Sequence, residues 1–195
     1  MDSEVRFTEI YRTNAWTGKS RSGPGSDEEN TRAVKKFLPE FIKQYDIKWM
    51  VDIPCGDYNW MSQVRLGCDY IGVDIVRELV EANQKKYPDV CFEWGDLEHS
   101  VFSKIDLVFI RDGLVHLPTD MIKKVFKNIA SCKYVMMTHF TGQRVYRDIQ
   151  VGQWRPINWC LEPWNLSYPM CIYNEEYNDN TWADKSMGVW ECGKL

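Results

Sequence analysis

The fold is decided by two neighbouring stretches, Val51-Asp52-Ile53-Pro54-Cys55-Gly56-Asp57 and Tyr70-Ile71-Gly72-Val73-Asp74-Ile75. Each is a short apolar run that ends in a polar residue, which is typical of a buried strand whose carboxyl end meets a ligand. The turn at Gly56 lets a nucleotide-like cofactor approach the main chain, and Asp74 can accept hydrogen bonds from ribose hydroxyls. Asp52 and Asp74 are 22 positions apart, near the roughly 20 expected of a ribose-binding acid.

The glycine content of the first turn separates two classes of cofactor. A G-x-G-x-x-G sequence would indicate a dinucleotide, but Gly56 is the only glycine in this turn. This favours S-adenosylmethionine, which has no pyrophosphate to bind. The alternative is an ordinary strand and turn of an α/β protein with a polar end.

Strand and helix patterns alternate along most of the chain. A helix is predicted from Ser26, which forms a capping box with Glu29. Further helices are predicted over 60–66, 76–87 and 121–129, and strands over 49–53, 70–74, 90–94, 105–110, 134–138, 170–173 and 187–192. This order predicts an α/β fold: a mostly parallel seven-stranded sheet with helices on both faces and an antiparallel C-terminal edge.

The length of 195 residues fits a single domain over 1–195. Residues 1–25 are rich in turn formers and are interpreted as an extended N-terminal arm. Residues 140–169 lack periodicity and carry several aromatic side chains, so they are interpreted as a loop on the substrate side.

Composition excludes several classes of function. The net charge of −4 argues against a nucleic-acid partner, which requires clustered basic residues. No apolar run is long enough for a membrane span, and the polar N-terminus does not resemble a signal peptide. The seven cysteines are scattered without C-x-x-C spacing, which indicates a reducing cytoplasm rather than a disulfide framework or a zinc site.

Ionisable residues collect at the predicted carboxyl ends of the strands, where ligands bind in open α/β sheets. They are Asp52, Asp74, Asp96, Arg111, Asp112, His116 and His139. Asp112 and His116 are four positions apart, so a helix over 113–117 would present both to one substrate atom. A histidine oriented by a carboxylate is a suitable general base for a hydroxyl. Alternatively, Asp112 caps the helix and His116 is a half-buried structural imidazole.

The late segment Gly152-Gln153-Trp154-Arg155-Pro156-Ile157-Asn158-Trp159 mixes aromatic, guanidinium and amide groups. Trp154 can stack on a sugar ring while Arg155 and Asn158 reach its hydroxyls, which makes these three the candidate substrate-binding residues. Equally, the loop packs its own tryptophans over the edge of the sheet.

Four motifs in register over about residues 49–140 resemble class I S-adenosylmethionine-dependent methyltransferases, which are Rossmann-like. They are Val51–Asp57, Gly72–Ile75, Gly95-Asp96-Leu97 and Arg111-Asp112-Gly113-Leu114-Val115-His116-Leu117. The whole chain is also similar to small methyltransferases found among polysaccharide-modifying genes of bacteria and large DNA viruses. That likeness rests on Trp16…Gly18…Ser22-Gly23-Pro24-Gly25-Ser26, Asp52–Asp57, Arg111–His116 and the Gly152–Asn158 loop.

The resemblance implies roles for individual residues. The turn at Cys55 and Gly56 would face the methionine moiety, Asp74 would hold the ribose, and Asp96 would approach the adenine amine. The arm would fold over the cofactor. The implied cofactor-binding residues are Trp16, Ser22, Gly23, Asp52, Cys55, Gly56, Asp74, Ile75, Asp96, Leu97 and Arg111.

The same resemblance bears on metal dependence. Some related enzymes bind a divalent metal through a Glu-x-x-Glu-His cluster after the fourth strand. Asp112 and His116 match the ends of that cluster, but Val115 replaces its middle acid. Because hard divalent ions prefer several oxygen ligands, no metal site is assigned and metal dependence is disfavoured.

The sequence therefore predicts an S-adenosylmethionine-dependent O-methyltransferase that acts on a sugar hydroxyl of a glycan and releases S-adenosylhomocysteine. His116 is the first candidate for the base, His139 the second and Asp112 the third. One alternative is O- or N-methylation of a small metabolite. Another is a catalytically silent partner subunit, which the retained polar strand ends disfavour. The oligomeric state stays open.

Overall fold

Seven strands form one sheet in the computed structural model, which describes residues 2–100, 102, 104–177 and 179–195. The spatial order is β3-β2-β1-β4-β5-β7-β6. The strands are β1 (Trp49–Asp52), β2 (Asp69–Asp74), β3 (Cys91–Trp94), β4 (Leu107–Ile110), β5 (Tyr134–Phe140), β6 (Cys171–Asn174) and β7 (Lys185–Glu191).

The pairing of the strands confirms the predicted mostly parallel sheet with antiparallel C-terminal strands. The first five strands pair in parallel, whereas β7 lies antiparallel between β5 and β6. The chain order reverses on the two sides of β1, which has β2 on one side and β4 on the other. Such a reversal opens a crevice beyond the carboxyl ends of the strands, where ligands bind in open α/β sheets.

The described residues form four α-helices: α1 (Ser3–Thr13), α2 (Glu28–Gln44), α3 (Arg77–Lys86) and α4 (Thr119–Ile129). Apolar side chains of α2 and α3 pack on one face of the sheet, in a cluster that includes Phe41 and Val80. On the other face, α4 contributes Ile122 and Val125 to a second cluster. Helices therefore cover both faces, as predicted.

The prediction of an extended arm over residues 1–25 is wrong for Ser3–Thr13, which form a helix. Met1, the first residue of the predicted arm, lies outside the described residues. The Asp2 carboxylate caps this helix by accepting a hydrogen bond from the Glu4 amide at 2.8 Å. The helix is held by packing, since Ile10 is buried against the body of the domain.

Two further helix boundaries differ from the predictions. The helix predicted over 60–66 is only a 3₁₀ turn, Met61–Gln63. The apolar residues Trp60 and Met61 gave the sequence the pattern of a helix, and both are buried. The helical backbone nevertheless ends early, because Val64 is already extended. Helix α2 begins at Glu28 with Asp27 at the N-cap, while Ser26 lies in a preceding 3₁₀ turn.

Residues 141–170, all of them described, contain neither helix nor strand, in agreement with the predicted loop. Within the described part of the chain, no helix combines the length and apolar character needed to cross a bilayer.

Candidate functional site

A cleft of about 1100 Å³, counting the solvent at its mouth, opens at the carboxyl ends of β1 to β4. It contains nearly all of the residues predicted to bind the cofactor, together with two of the three candidate bases. These are Trp16, Ser22, Asp52, Cys55, Gly56, Asp74, Ile75, Asp96, Leu97, Arg111, Asp112 and His116. Five predicted residues lie outside this lining: Gly23, His139, Trp154, Arg155 and Asn158.

Asp74 is a buried residue at the end of β2, and main-chain amides fix the orientation of its carboxylate. One of its oxygens accepts a hydrogen bond from the Gly56 amide and the other from the Val76 amide, both at 3.0 Å. Each oxygen keeps a second lone pair, so the pair can receive two neighbouring hydroxyls. Burial raises the pKa of Asp74 to about 6. This arrangement of acceptors suits the two neighbouring hydroxyls of a ribose.

The turn after β1 requires glycine at position 56. Gly56 has a φ of 56°, and a β-carbon there would lie 2.5 Å from the Ser22 hydroxyl. That hydroxyl accepts a hydrogen bond from the Asp57 amide at 2.9 Å. The Ser20 hydroxyl in turn donates to the Asp57 carboxylate at 2.7 Å. The N-terminal segment is therefore held by hydrogen bonds against the turn after β1.

Gly23 does not line the cleft but supports a residue that does. It has a φ of 88°, and a β-carbon there would lie 3.3 Å from the β-carbon of Trp16. The Trp16 indole is stacked on the His116 imidazole, with ring centroids 4.6 Å apart and planes inclined by 24°. Residues of α1 and of the loop that follows it therefore line one side of the cleft.

Asp52 and Asp96 supply two more carboxyl groups to the cleft. Asp52 is buried and accepts a hydrogen bond from the Tyr70 hydroxyl at 2.8 Å. Burial raises its pKa to about 7, so near neutral pH it can donate a hydrogen bond as well as accept one. Asp96 follows β3 and accepts a hydrogen bond from the Glu98 amide at 2.8 Å. It lies beside the buried Leu97, where a flat base would find an apolar wall.

Asp112 follows β4 in the left-handed region, with a φ of 57°. Its carboxylate accepts a hydrogen bond from the Lys185 ammonium at 2.6 Å and lies 3.7 Å from Arg111. Burial opposes its ionisation, but Lys185 and Arg111 outweigh that effect and lower its pKa to about 2. A carboxylate neutralised by two cations is a weak proton acceptor and an unfavourable ligand for a divalent ion.

Arg111 lines the cleft, but its guanidinium forms hydrogen bonds with other residues of the protein. Its guanidinium contacts the buried Glu175 carboxylate at 2.6 and 3.0 Å. It also donates to the main-chain oxygens of Gly25 and Asn30, at 2.8 and 3.1 Å. Arg111 therefore ties the start of α2 to the end of β4. Sequence reasoning missed Glu175 and Lys185, because nothing in their local sequence marks them as partners of residues more than sixty positions away.

His116 lies in the cleft with its tautomer assigned by a main-chain contact. Its Nδ1 is 2.9 Å from the Gln153 carbonyl oxygen. A carbonyl only accepts hydrogen bonds, so Nδ1 carries the hydrogen and Nε2 is the free acceptor of the neutral ring. Burial lowers the pKa of His116 below its usual value. The short segment Leu114–His116 is a 3₁₀ turn rather than the longer helix considered from the sequence.

The structure keeps His139 and Asn158 away from the cleft. His139 is buried in β5, where its Nδ1 accepts from the Trp159 amide at 3.4 Å and its ring meets the face of Trp190. Burial lowers its pKa to about 4. The Asn158 amide donates to the carbonyl oxygens of residues 141 and 142. Both side chains therefore hold the loop in place.

Trp154 and Arg155 lie beside the cleft rather than in it. The Trp154 indole meets Trp182 edge-on, with ring centroids 4.8 Å apart, and also packs against Phe140. The Arg155 amide donates to the Val115 carbonyl at 3.1 Å, so the loop is attached to the segment that carries His116. The alternative in which the loop packs its own tryptophans is correct for Trp159, which is fully buried.

Sequence reasoning missed the contribution of α1 to the cleft. Phe7, Ile10 and Tyr11 all line it. Their spacing places them on one helical face, and Asp2 stands at the N-cap, so the signal was present in the sequence.

The chain matches known proteins at the level of family profile and of fold. Residues 50–133 match the profile of the family described as "Methyltransferase domain". No curated protein sequence matches the chain. The matched residues run from β1 to just beyond α4 and contribute most of the cleft, whereas α1 and the loop after it lie outside the match.

Among solved structures, the methyltransferase domain of bacterial CtHen1 is similar, with a TM-score of 0.62 and 14% identity over 83% of this chain and 98% of that one. A protein from Pyrococcus horikoshii OT3 has a TM-score of 0.60 and 16% identity, covering 94% and 98% of the two chains. The magnesium protoporphyrin IX methyltransferase of Synechocystis PCC 6803, solved with bound S-adenosylmethionine, has a TM-score of 0.56 and 14% identity over 97% and 96%.

Proposed function

We propose that this S-adenosylmethionine-dependent methyltransferase transfers its methyl group to a hydroxyl oxygen, and that the hydroxyl belongs to a sugar of a glycan. The observation that carries the proposal is the tautomer of His116. Its Nδ1 hydrogen is held by the Gln153 carbonyl, so Nε2 is an acceptor in the cleft. A hydroxyl loses a proton as it is methylated, and this nitrogen is suited to receive it.

Different residues at the strand ends bind different parts of the cofactor in this proposal. We assign the ribose hydroxyls to Asp74, the adenine to the segment at Asp96 and Leu97, and the methionine moiety to the turn at Gly56. When bound, S-adenosylmethionine supplies a methyl group already activated by its sulfonium sulfur. The chain has to position the acceptor, exclude water and hold the proton.

The proton balance assigns distinct roles to the three candidate bases. His116 Nε2 takes the hydroxyl proton while the oxygen forms its bond to the methyl carbon, and the imidazolium later releases that proton to solvent. Asp112 is held ionised by Lys185, and its negative charge favours the protonated form of His116. His139 is excluded from the reaction because its buried ring lies outside the cleft.

The choice of a sugar as acceptor is supported by the aromatic surface beside His116. Trp16 stacks on the base itself, and Trp154 and Trp182 lie together in the neighbouring loops, where Trp154 is partly exposed. Indole faces bind the apolar faces of sugar rings. We also propose a cytoplasmic location, based on seven unpaired cysteines, and no nucleic-acid partner, based on the net charge of −4.

The direct test is a search for methylated products with a cofactor whose methyl group is labelled with deuterium. Purified protein is incubated with oligosaccharides and, in parallel, with flat aromatic metabolites and amines, and the products are analysed by mass spectrometry. We expect label on a sugar oxygen and its loss in His116→Ala. Label on an amine, with turnover independent of His116, would contradict the proposal.

A further inference from the structure

The strongest unexplained feature outside the cofactor cleft is the guanidinium of Arg155. The residue is only 5% exposed, yet its Nε, Nη1 and Nη2 have no hydrogen-bond partner among the described residues. Arg144 has a further buried nitrogen, Nε, without a partner there. Buried N–H groups in proteins are nearly always hydrogen-bonded, and an unmet charged donor is costly. Four such donors at one place indicate a ligand with several acceptor oxygens.

The two arginines line a shared notch in the surface. It holds about 270 Å³ counting its open mouth, and its lining includes Arg144, Arg147, Arg155 and Asn158. Arg147 is exposed and forms no ion pair with the described residues. A guanidinium fork matches the paired oxygens of a carboxylate or a phosphate.

Acidic residues near the notch neutralise it only in part. Asp148 lies 3.7 Å from Arg155 Nη1. However, the same Asp148 oxygen already accepts hydrogen bonds from the Thr119 amide, the Thr119 hydroxyl and the Ile149 amide. Asp184 is paired with Arg144, and Glu162 is an exposed residue at the rim. Arg155 therefore has no anion that completes its hydrogen bonds.

The notch is joined to the segment that carries the proposed base. The Gly152 amide donates to the His116 carbonyl at 3.0 Å, and the Arg155 amide donates to the Val115 carbonyl at 3.1 Å. These two bonds hold Arg155 beside the segment that carries His116. This places the notch where the acceptor, rather than the cofactor, would be held.

We propose that the Arg155 notch is an acceptor subsite for an anionic group, so that the enzyme methylates a sugar that carries a carboxylate or a phosphate. This inference rests on the proposed function and deepens it, because it selects acidic acceptors over neutral ones. Arg155 binds the anion through paired N–H donors, Arg144 contributes its Nε, and Arg147 adds charge at the mouth.

The test measures anion binding directly and does not require the natural acceptor. Sodium glucuronate, glucose 6-phosphate and neutral glucose are titrated into the full-length protein at constant ionic strength, by calorimetry and by thermal unfolding. Arg155→Met keeps the alkyl volume and removes the charge, and Arg155→Lys keeps the charge without the fork. Arg65→Met is the matched control, since Arg65 is an exposed arginine outside the notch.

We expect an anionic sugar to bind and to raise the melting temperature of the wild type and of Arg65→Met, while glucose does neither. Arg155→Met should weaken binding by at least about tenfold, with Arg155→Lys in between. Binding of glucuronate alone identifies a carboxylate acceptor, and binding of the phosphate alone identifies a phosphorylated one. In anion-free buffer, the melting temperature of Arg155→Met should be no lower than that of the wild type, because the variant no longer buries an unpaired charge.

Equal binding by wild type and Arg155→Met, or no binding of either anion, would overturn the subsite. S-adenosylhomocysteine is titrated into the same samples. If the wild type fails to bind it, the cofactor assignment fails whatever the anions do. If it binds and the anions do not, only the subsite is wrong.

Discussion

The His116 imidazole lies flat against the Trp16 indole, with the two ring centroids 4.6 Å apart. The N-terminal segment thus contacts the proposed base directly, and its serines are bonded to the turn that approaches the cofactor. The same residues that cover the cleft also shield His116 partly from water. This coupling means that a change in the cover should alter both cofactor binding and the ionisation of the base.

The first prediction concerns that coupling. Trp16→Ala should expose the His116 ring and raise its pKa toward the usual value, because burial is what lowers it. The neutral ring is the active form, so the acid limb of the kcat profile should move to higher pH. Trp16→Phe retains a stacked ring, so this variant should shift the acid limb of the profile less than Trp16→Ala does. Identical pH profiles in all three proteins would show that Trp16 does not control the base.

A second prediction separates the two histidines that the sequence offers as the base. His116→Ala should lower turnover by at least about 100-fold while the affinity for S-adenosylhomocysteine changes little. His139→Gln should leave the pH dependence of turnover unchanged, because His139 lies outside the cleft. Single-turnover rates and calorimetry measure the two effects. A parallel loss of rate and cofactor affinity in His116→Ala would contradict its role as a base.

A third prediction follows from the burial of Asp52. Its folded pKa is about 7, whereas an aspartate in an unfolded chain titrates at about 3.9. The folded state binds this proton more tightly, so the free energy of unfolding falls as the pH rises between those values.

Asp52→Asn removes that pH-dependent loss, and the amide oxygen can still accept from Tyr70. The melting temperature of the variant relative to the wild type should therefore be higher at about pH 8 than at about pH 5. Thermal unfolding of the cofactor-free proteins measures it. The same difference at both pH values would mean that Asp52 is ionised throughout.

The fourth prediction concerns the buried ion pair between Arg111, which follows β4, and Glu175, which follows β6. Arg111 and Glu175 are both buried, so Glu175→Gln leaves a cation without its partner. It should lower the free energy of unfolding by about 3–5 kcal/mol. Glu176→Gln, at the exposed neighbouring position, is the control and should change little. Urea unfolding compares them, and equal stability of the two variants would show that the pair contributes nothing.

The sequence predicted the sheet and the strand-end residues of the cleft well, for a physical reason. Short apolar runs such as Leu107–Ile110 are buried on both faces and identify parallel strands without further context. Once the strands are known, the carboxyl-end residues Asp74 and Asp96 must lie at one edge.

Other parts of the site depend on contacts that no local pattern encodes. The ammonium of Lys185 reaches Asp112 across 73 positions, and this pairing removes Asp112 from the candidate bases. The loop residues Arg155 and Asn158 were expected to reach substrate hydroxyls together. Instead, backbone carbonyls consume the Asn158 amide, while the Arg155 guanidinium is buried without acceptors. Which donors remain free is a property of the folded loop.

The most direct test of the cofactor site is a calorimetric titration with S-adenosylhomocysteine of the wild type, Asp74→Asn and Asp69→Asn. Asp69 begins the same strand but lies exposed at its opposite end, which makes it the matched control. We expect micromolar binding by the wild type and Asp69→Asn, and the loss of that binding in Asp74→Asn. Unchanged binding in Asp74→Asn would contradict the assignment of the ribose to Asp74 and, with it, the placement of the cofactor in this cleft.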